Sequence, residues 1–340
     1  MLAAQICGRG QVTETRARTP VPTADEVLLR TLFTSICGSD LHAVYDSDEW
    51  GPGNLPPAGF PGHASVGIVV ESGVPGIDVG MKMLILVSDL KSRSLAEYQV
   101  AGPSALLALP DASSVSLVDF VVAQQLGTVI YALKRFGYHR RAGQSAVVMG
   151  AGAAGLHFIR LLRRYGFESV IAVEPVSERR DMARRWGADR VFSGEENDLV
   201  GELMRTTGGS GFELSIDASG RDDARNLLMH LTRQRGTVGF FGLPENDSGT
   251  VLPMNDVFRR EPCIMMAVGA QQERGLVSFR QAIQLIESGQ YPAGELLTHR
   301  FALADIALAM DSARGKTGGL LKAVIDFALR HRESPDTREG

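Results

Sequence analysis

The chain opens with short apolar runs that alternate with polar positions and are cut by glycine and proline. Residues 26–31, 64–71 and 83–87 read as strands, and the clusters Gly51-Pro52-Gly53 and Pro56-Pro57-Ala58-Gly59 read as the turns between them. From about Ser116 the period lengthens: residues 117–136 read as helix, and an uninterrupted apolar strand at 145–149 leads through a glycine-rich turn into a helix at 156–165. The alternation continues with strand 169–173, helix 177–186, strand 212–217, helix 222–231 and strand 236–241. Parallel sheets covered by helices read this way. Helix 277–288 and strand 321–327 follow, ahead of a polar tail from Arg330 to Gly340.

Composition narrows the class. At 340 residues with 44% hydrophobic content, the chain is long enough for two domains with separate cores. Thirty-five basic against 39 acidic residues give a net charge of -4, too balanced for a phosphate-backbone footprint, so no nucleic-acid partner is expected. The cysteines Cys7, Cys37 and Cys263 are odd in number and far apart. This argues against a disulfide framework and for a reducing compartment, with a cytoplasmic protein expected. Cys7 and Cys263 read as inert core or interface residues. The first nine residues lack a charged segment followed by an apolar one, and no apolar run reaches about 18 residues, so neither export nor a membrane partner is expected.

Directly after strand 145–149 stands Gly150-Ala151-Gly152-Ala153-Ala154-Gly155, a G-x-G-x-x-G pattern that opens a helix. Gly150 permits a tight turn, Gly152 lets the backbone approach a pyrophosphate, and Gly155 lets helix and strand pack closely, while the helix N-terminus offers N–H groups to phosphate. The next strand ends at Glu174, 19 residues beyond Gly155, near the distance expected of an acid that binds the adenosine ribose diol. Such an acid repels a 2'-phosphate, so NAD is expected over NADP. Arg179 and Arg180 could instead pair with that phosphate, or form a solvated helix face with Arg184 and Arg185.

The N-terminal part carries Ser35-Ile36-Cys37-Gly38-Ser39-Asp40-Leu41-His42 and Pro61-Gly62-His63-Ala64. Cys37 is a thiolate candidate and His63 an imidazole donor, both suited to zinc, but two ligands do not make a site. With these motifs, Ala96-Glu97-Tyr98, the Gly150 to Gly155 turn with Glu174, and Gly318-Gly319-Leu320-Leu321-Lys322-Ala323-Val324, the sequence resembles the zinc-containing alcohol, polyol and threonine dehydrogenases of the medium-chain dehydrogenase/reductase superfamily over nearly its whole length. The resemblance implies an α/β fold. A GroES-like β domain is expected from residues 1–123 and 271–340, with a Rossmann domain, a doubly wound parallel sheet, inserted at 124–270. It also implies hydride transfer between an alcohol carbon and nicotinamide, with the substrate oxygen on a zinc Lewis acid. Cys37 and His63 align with metal ligands, Ser39 with the hydroxyl that takes the alcohol proton, and His42 with the histidine that passes it on. Ser39 could alternatively cap a helix beginning at Asp40, with His42 a surface residue.

The pattern is broken in three places. Ala64 stands where the family has glutamate. Gln124 or Gln125 falls where the polyol and threonine branches carry a second glutamate, so one catalytic zinc could be held through Cys37, His63 and Gln124 or water, held loosely, or not held. Between Gly80 and Ala96 no cysteine occurs, so no structural zinc is expected. The leading reading is an NAD-dependent dehydrogenase of a secondary alcohol, a polyol or cyclitol among the candidates. It would take a small-molecule alcohol or carbonyl substrate and assemble as a homodimer or homotetramer through the strands around residues 263–268. The alternatives are a zinc-free NAD(P)H-dependent reductase of C=C, imine or carbonyl groups on the same fold, and a non-catalytic nucleotide-binding redox sensor.

Overall fold

The computed structural model describes all residues except 48, 52, 88–92, 138–143, 245–248, 250, 316 and 330–340. The first part runs β1 (Leu2–Gly8), β2 (Gln11–Arg16), β3 (Val27–Ser35), α1 (Gly38–Tyr45), β4 (Ser65–Ser72), β5 (Lys82–Ile85), β6 (Tyr98–Ala101) and β7 (Leu106–Ala108). The middle runs α2 (Ala123–Arg135), β8 (Ser145–Met149), α3 (Ala153–Arg164), β9 (Ser169–Val173), α4 (Ser177–Trp186), β10 (Arg190–Phe192), α5 (Leu199–Thr206), β11 (Phe212–Asp217), α6 (Asp222–Leu231), β12 (Thr232–Phe240), α7 (Met254–Arg260) and β13 (Cys263–Met266). It closes with α8 (Val277–Glu287), β14 (His299–Phe301), α9 (Ile306–Gly315) and β15 (Ala323–Asp326).

The chain divides into two compact units, residues 1–124 with 280–340, and residues 125–279. The second division falls at Phe279, beyond the expected residue 270, for a packing reason. Phe279 is fully buried against α2 at Gly127, where a Cβ would come within 2.3 Å of the Phe279 ring, and the Lys134 ammonium on α2 donates to Ser278 Oγ at 3.0 Å. Those contacts hold residues 273–279 to the second unit.

In the first unit a seven-stranded sheet runs β14-β15-β3-β4-β5-β7, with β6 also paired to β3. Every pairing in it is antiparallel except β14 with β15. Strand β3 is central: Val27, Leu28, Leu29, Thr31, Thr34 and Ser35 are buried, and its far end is flanked by β4 and by β15 from the other end of the chain. Between the layers, Gln99 Nε2 donates to Thr31 Oγ1 at 3.0 Å and to Ser65 Oγ at 3.2 Å, so these buried polar groups satisfy one another. In the second unit six parallel strands lie in the order β10-β9-β8-β11-β12-β13. The order reverses beside β8, the switch point at which such sheets bind nucleotides. Leu117–Arg135 is the one described segment long and apolar enough to cross a membrane, and 72% of it is buried in the protein's own core.

Candidate active site

The glycine turn closes as its residue spacing requires. Gly150 takes φ +93°, a conformation that side chains resist, and a Cβ on Gly155 would lie 1.9 Å from the Gly150 carbonyl oxygen. Helix α3 therefore starts against β8 with Gly152 as its N-cap and its first N–H groups unclaimed by the helix itself. Glu174, only 4% exposed, lies across the turn. Its Oε2 accepts from Ala151 N at 2.7 Å and its Oε1 from Val176 N at 2.9 Å. Each oxygen keeps a second lone pair for a ribose hydroxyl.

Of the two arginines, only Arg180 stays near solvent, with its guanidinium donating to the carbonyls of Glu174 and Pro175. Arg179 is buried, and its Nη1 stands 3.8 Å from where a Gly152 Cβ would be. Burial lowers its pKa, and the negative charge of Glu174 acts the other way. A Gly152 N-cap, an acid across the turn and an arginine over it fit a dinucleotide. Ala153 and Ala154 form the first turn of α3 and add no side chain that would crowd a phosphate.

In the first unit the chemistry gathers at the end of β3. Ser35 pairs with Val324 of β15, and Ile36 N donates to Ala323 O at 2.9 Å, so the same register sets Cys37 opposite Lys322. On the other side Thr34 pairs with Ser65 and Ser35 N donates to Ala64 O at 3.0 Å, which brings His63 beside the same turn. Cys37 is thus enclosed by residues of β4's leading segment and β15's leading segment. The Lys322 ammonium, on a side chain 2% exposed, donates to Cys37 Sγ at 3.2 Å.

Asp40 completes the group. Cys37 is the N-cap of α1, with Asp40 at N3, and Cys37 N donates to Asp40 Oδ2 at 2.7 Å in a capping box. Asp40 Oδ1 lies 3.3 Å from His63 Nδ1. Burial raises the Cys37 thiol, but Lys322 and a hydrogen bond with His63 overcome it, and the net shift is downward. Burial likewise opposes the imidazolium of His63, yet Asp40 and Cys37 carry its pKa well above the usual histidine range. The four side chains thus form one buried group, Asp40 against His63 and Lys322 against Cys37.

Ser39 is half-buried at N2 of α1 and is not the cap, a role that belongs to Cys37. His42, one turn on, is 45% exposed and lies 3.5 Å from Asp46 Oδ2. Gln124 is buried in the first turn of α2 and is the last residue before the unit boundary. Among the described residues no group of three His, Cys, Asp or Glu side chains is placed to hold a metal ion. Ala64 is fully buried, so the position next to His63 presents a methyl group where the resembled family carries a carboxylate. The donors that the fold brings together are the Cys37 sulfur and the His63 imidazole, with the Lys322 Nζ already 3.2 Å from the sulfur, and two ligands with that neighbour do not fit a resident zinc. Within the stretch searched for a structural metal, residues 88–92 lie outside those described; the sequence there has no cysteine. Cys7 and Cys263 are both exposed, not core residues.

Sequence profiles match two parts of the chain: alcohol dehydrogenase GroES-like domain over residues 23–110, and zinc-binding dehydrogenase over residues 153–288. An L-threonine 3-dehydrogenase of Pyrococcus furiosus is 30% identical over 248 residues, covering 66% of this chain and 70% of that one. The chain belongs to the zinc-dependent medium-chain dehydrogenase family. D-xylulose reductase A of Aspergillus niger is 26% identical over 333 residues, covering 88% of this chain and 90% of its own. Among solved structures, 2R,3R-butanediol dehydrogenase of Bacillus subtilis matches with a TM-score of 0.82 at 22% identity, over 96% of this chain and 99% of that one. As a medium-chain dehydrogenase the chain is an oxidoreductase. Asp40 and Lys322 stand inside the motifs quoted from the sequence, but sequence reading gave neither a role at the site.

Proposed function

We propose that the protein is an NAD-dependent oxidoreductase that interconverts a small polar secondary alcohol and its ketone in the cytoplasm. The observation that carries this reading is the glycine turn with the Glu174 carboxylate bonded across it to Ala151 N, a placement suited to a ribose diol and hostile to a 2'-phosphate. When bound, NAD supplies the hydride acceptor. The names of the relatives support the substrate class, since threonine at carbon 3, xylulose and butanediol all carry the reacting oxygen on an inner carbon.

On the chain's own side, Ser39 on α1 takes the alcohol proton and His42, one turn on and open to solvent, carries it away. Of the alternatives, the zinc-free version of this chemistry is favoured by one observation, the Lys322 ammonium on Cys37 Sγ. Three free cysteines agree with a reducing compartment. A homodimer is part of the reading: β13 is the last strand of its sheet, and Met266, Val268 and Phe258 beside it are 62%, 84% and 84% exposed. The test is steady-state turnover of a panel of secondary alcohols and ketones with NAD(H) and NADP(H), read as the absorbance of the reduced nicotinamide. Turnover of at least one pair with preference for NAD is expected; cofactor binding without turnover of any member would favour the sensor.

A further inference from the structure

The pocket around Cys37 brings together side chains from three of the sequence motifs, and one of them is a buried lysine. Lys322 is 2% exposed, and an ammonium buried to that degree needs an anionic partner. Its partner at 3.2 Å is the Cys37 sulfur, in the place where the family resemblance puts a dication. Zinc bound to that thiolate would stand about 2.3 Å from the sulfur, crowding an ammonium that already uses it. The carboxylates that would offset such a concentration of positive charge are missing: Ala64 is a buried methyl group, Gln124 is neutral, and Asp40 is spent on Cys37 N and His63 Nδ1.

We propose that Lys322 is the resident cation of this pocket and takes the place of zinc at Cys37. Lys322 is a positioning residue: it fixes the Cys37 sulfur at the start of α1 and keeps metal out. The β3–β15 register makes this possible, since it sets residue 322 across from residue 37. The inference rests on reading the Cys37 pocket as the substrate end of the enzyme, but its test does not depend on turnover.

The full-length protein is equilibrated with zinc, desalted and assayed for metal per chain, alongside Lys322→Gln, Lys322→Arg and Cys37→Ser. The wild type and Lys322→Arg are expected to retain far less than one zinc per chain. Lys322→Gln, with one buried positive charge removed, is expected to bind zinc on the order of a hundredfold more tightly, and the gain is expected to vanish when Cys37→Ser is added. Stoichiometric zinc in the wild type that is lost in Cys37→Ser would overturn the proposal, as would a Lys322→Gln protein that gains none. If Lys322→Gln does not fold, cobalt added to the wild type gives the reading: no cobalt–thiolate absorption is expected, and its appearance would contradict the assignment. Absence of turnover with every alcohol would defeat the functional reading and leave this metal result standing.

Discussion

Glu174 Oε2 accepts a 2.7 Å hydrogen bond from the Ala151 amide, so the acid that would meet the cofactor ribose also fixes the turn that would meet the pyrophosphate. Glu174→Ala removes both functions. We expect the KM for NAD to rise while that for NADP changes less, and stability to fall by about 2–4 kcal/mol from two amides left without a charged acceptor. Cofactor-ratio kinetics and denaturant unfolding check the two effects; an unchanged NAD to NADP ratio would mean that the ribose contact lies elsewhere.

Gly155→Ala places a methyl group 1.9 Å from the Gly150 carbonyl, and backbone on both sides leaves no flexible atom to yield. The expected result is loss of NAD binding by calorimetry and a destabilisation above about 3 kcal/mol.

Cys37 and His63 shift in opposite directions, which fixes the sign of their pH dependence. The His63 contribution to stability is complete below the ordinary imidazole range and is lost as pH rises through its raised folded value. The Cys37 contribution is complete above the ordinary thiol range and is lost as pH falls through its lowered folded value. Melting temperatures of the wild type and Cys37→Ser are expected to diverge most above the ordinary thiol range and to converge towards acid; a difference independent of pH would mean that the thiolate is not the stabilising form.

Phe258 and Val268 are each 84% exposed, so replacing either with Asp disturbs nothing inside the chain. Light scattering is expected to show a dimer for the wild type and a monomer for the Phe258→Asp, Val268→Asp double variant, with unfolding of the isolated chain altered by no more than about 0.5 kcal/mol. A double variant that still elutes as a dimer would place the interface on another face.

The parts of the fold legible in the sequence are those written in local pattern. Strands Ser145–Met149, Ser169–Val173 and Phe212–Asp217 and helices Ser177–Trp186 and Asp222–Leu231 have the bounds the pattern predicts, because each is an apolar run or period closed by glycine or a polar turn. Strands β1 and β2 were not read, since every residue of Gln11–Arg16 except Val12 is polar and its pairing partner is what makes it a strand. The candidate site was legible only as far as its motifs. Cys37, His63, Glu174 and the glycines announce themselves by spacing, whereas Lys322 reaches Cys37 through strand register from 285 positions along the chain. Ser39 as a helix cap was a fair local expectation, but the cap fell to Cys37 because Asp40 is placed to close the box with it.

The first unit is assembled from both ends of the chain, and that sets an order of events on the ribosome. Residues 125–279 leave the exit tunnel as one contiguous stretch and can fold as soon as they are complete, whereas β3 waits for β15. At ordinary synthesis rates the interval between Cys37 and Lys322 is on the order of tens of seconds. Throughout that time the nascent chain carries a cysteine without its counter-charge and a central strand with one flank uncovered. A chain broken off between residues 279 and 322 can therefore still fold its second unit but never completes the pocket.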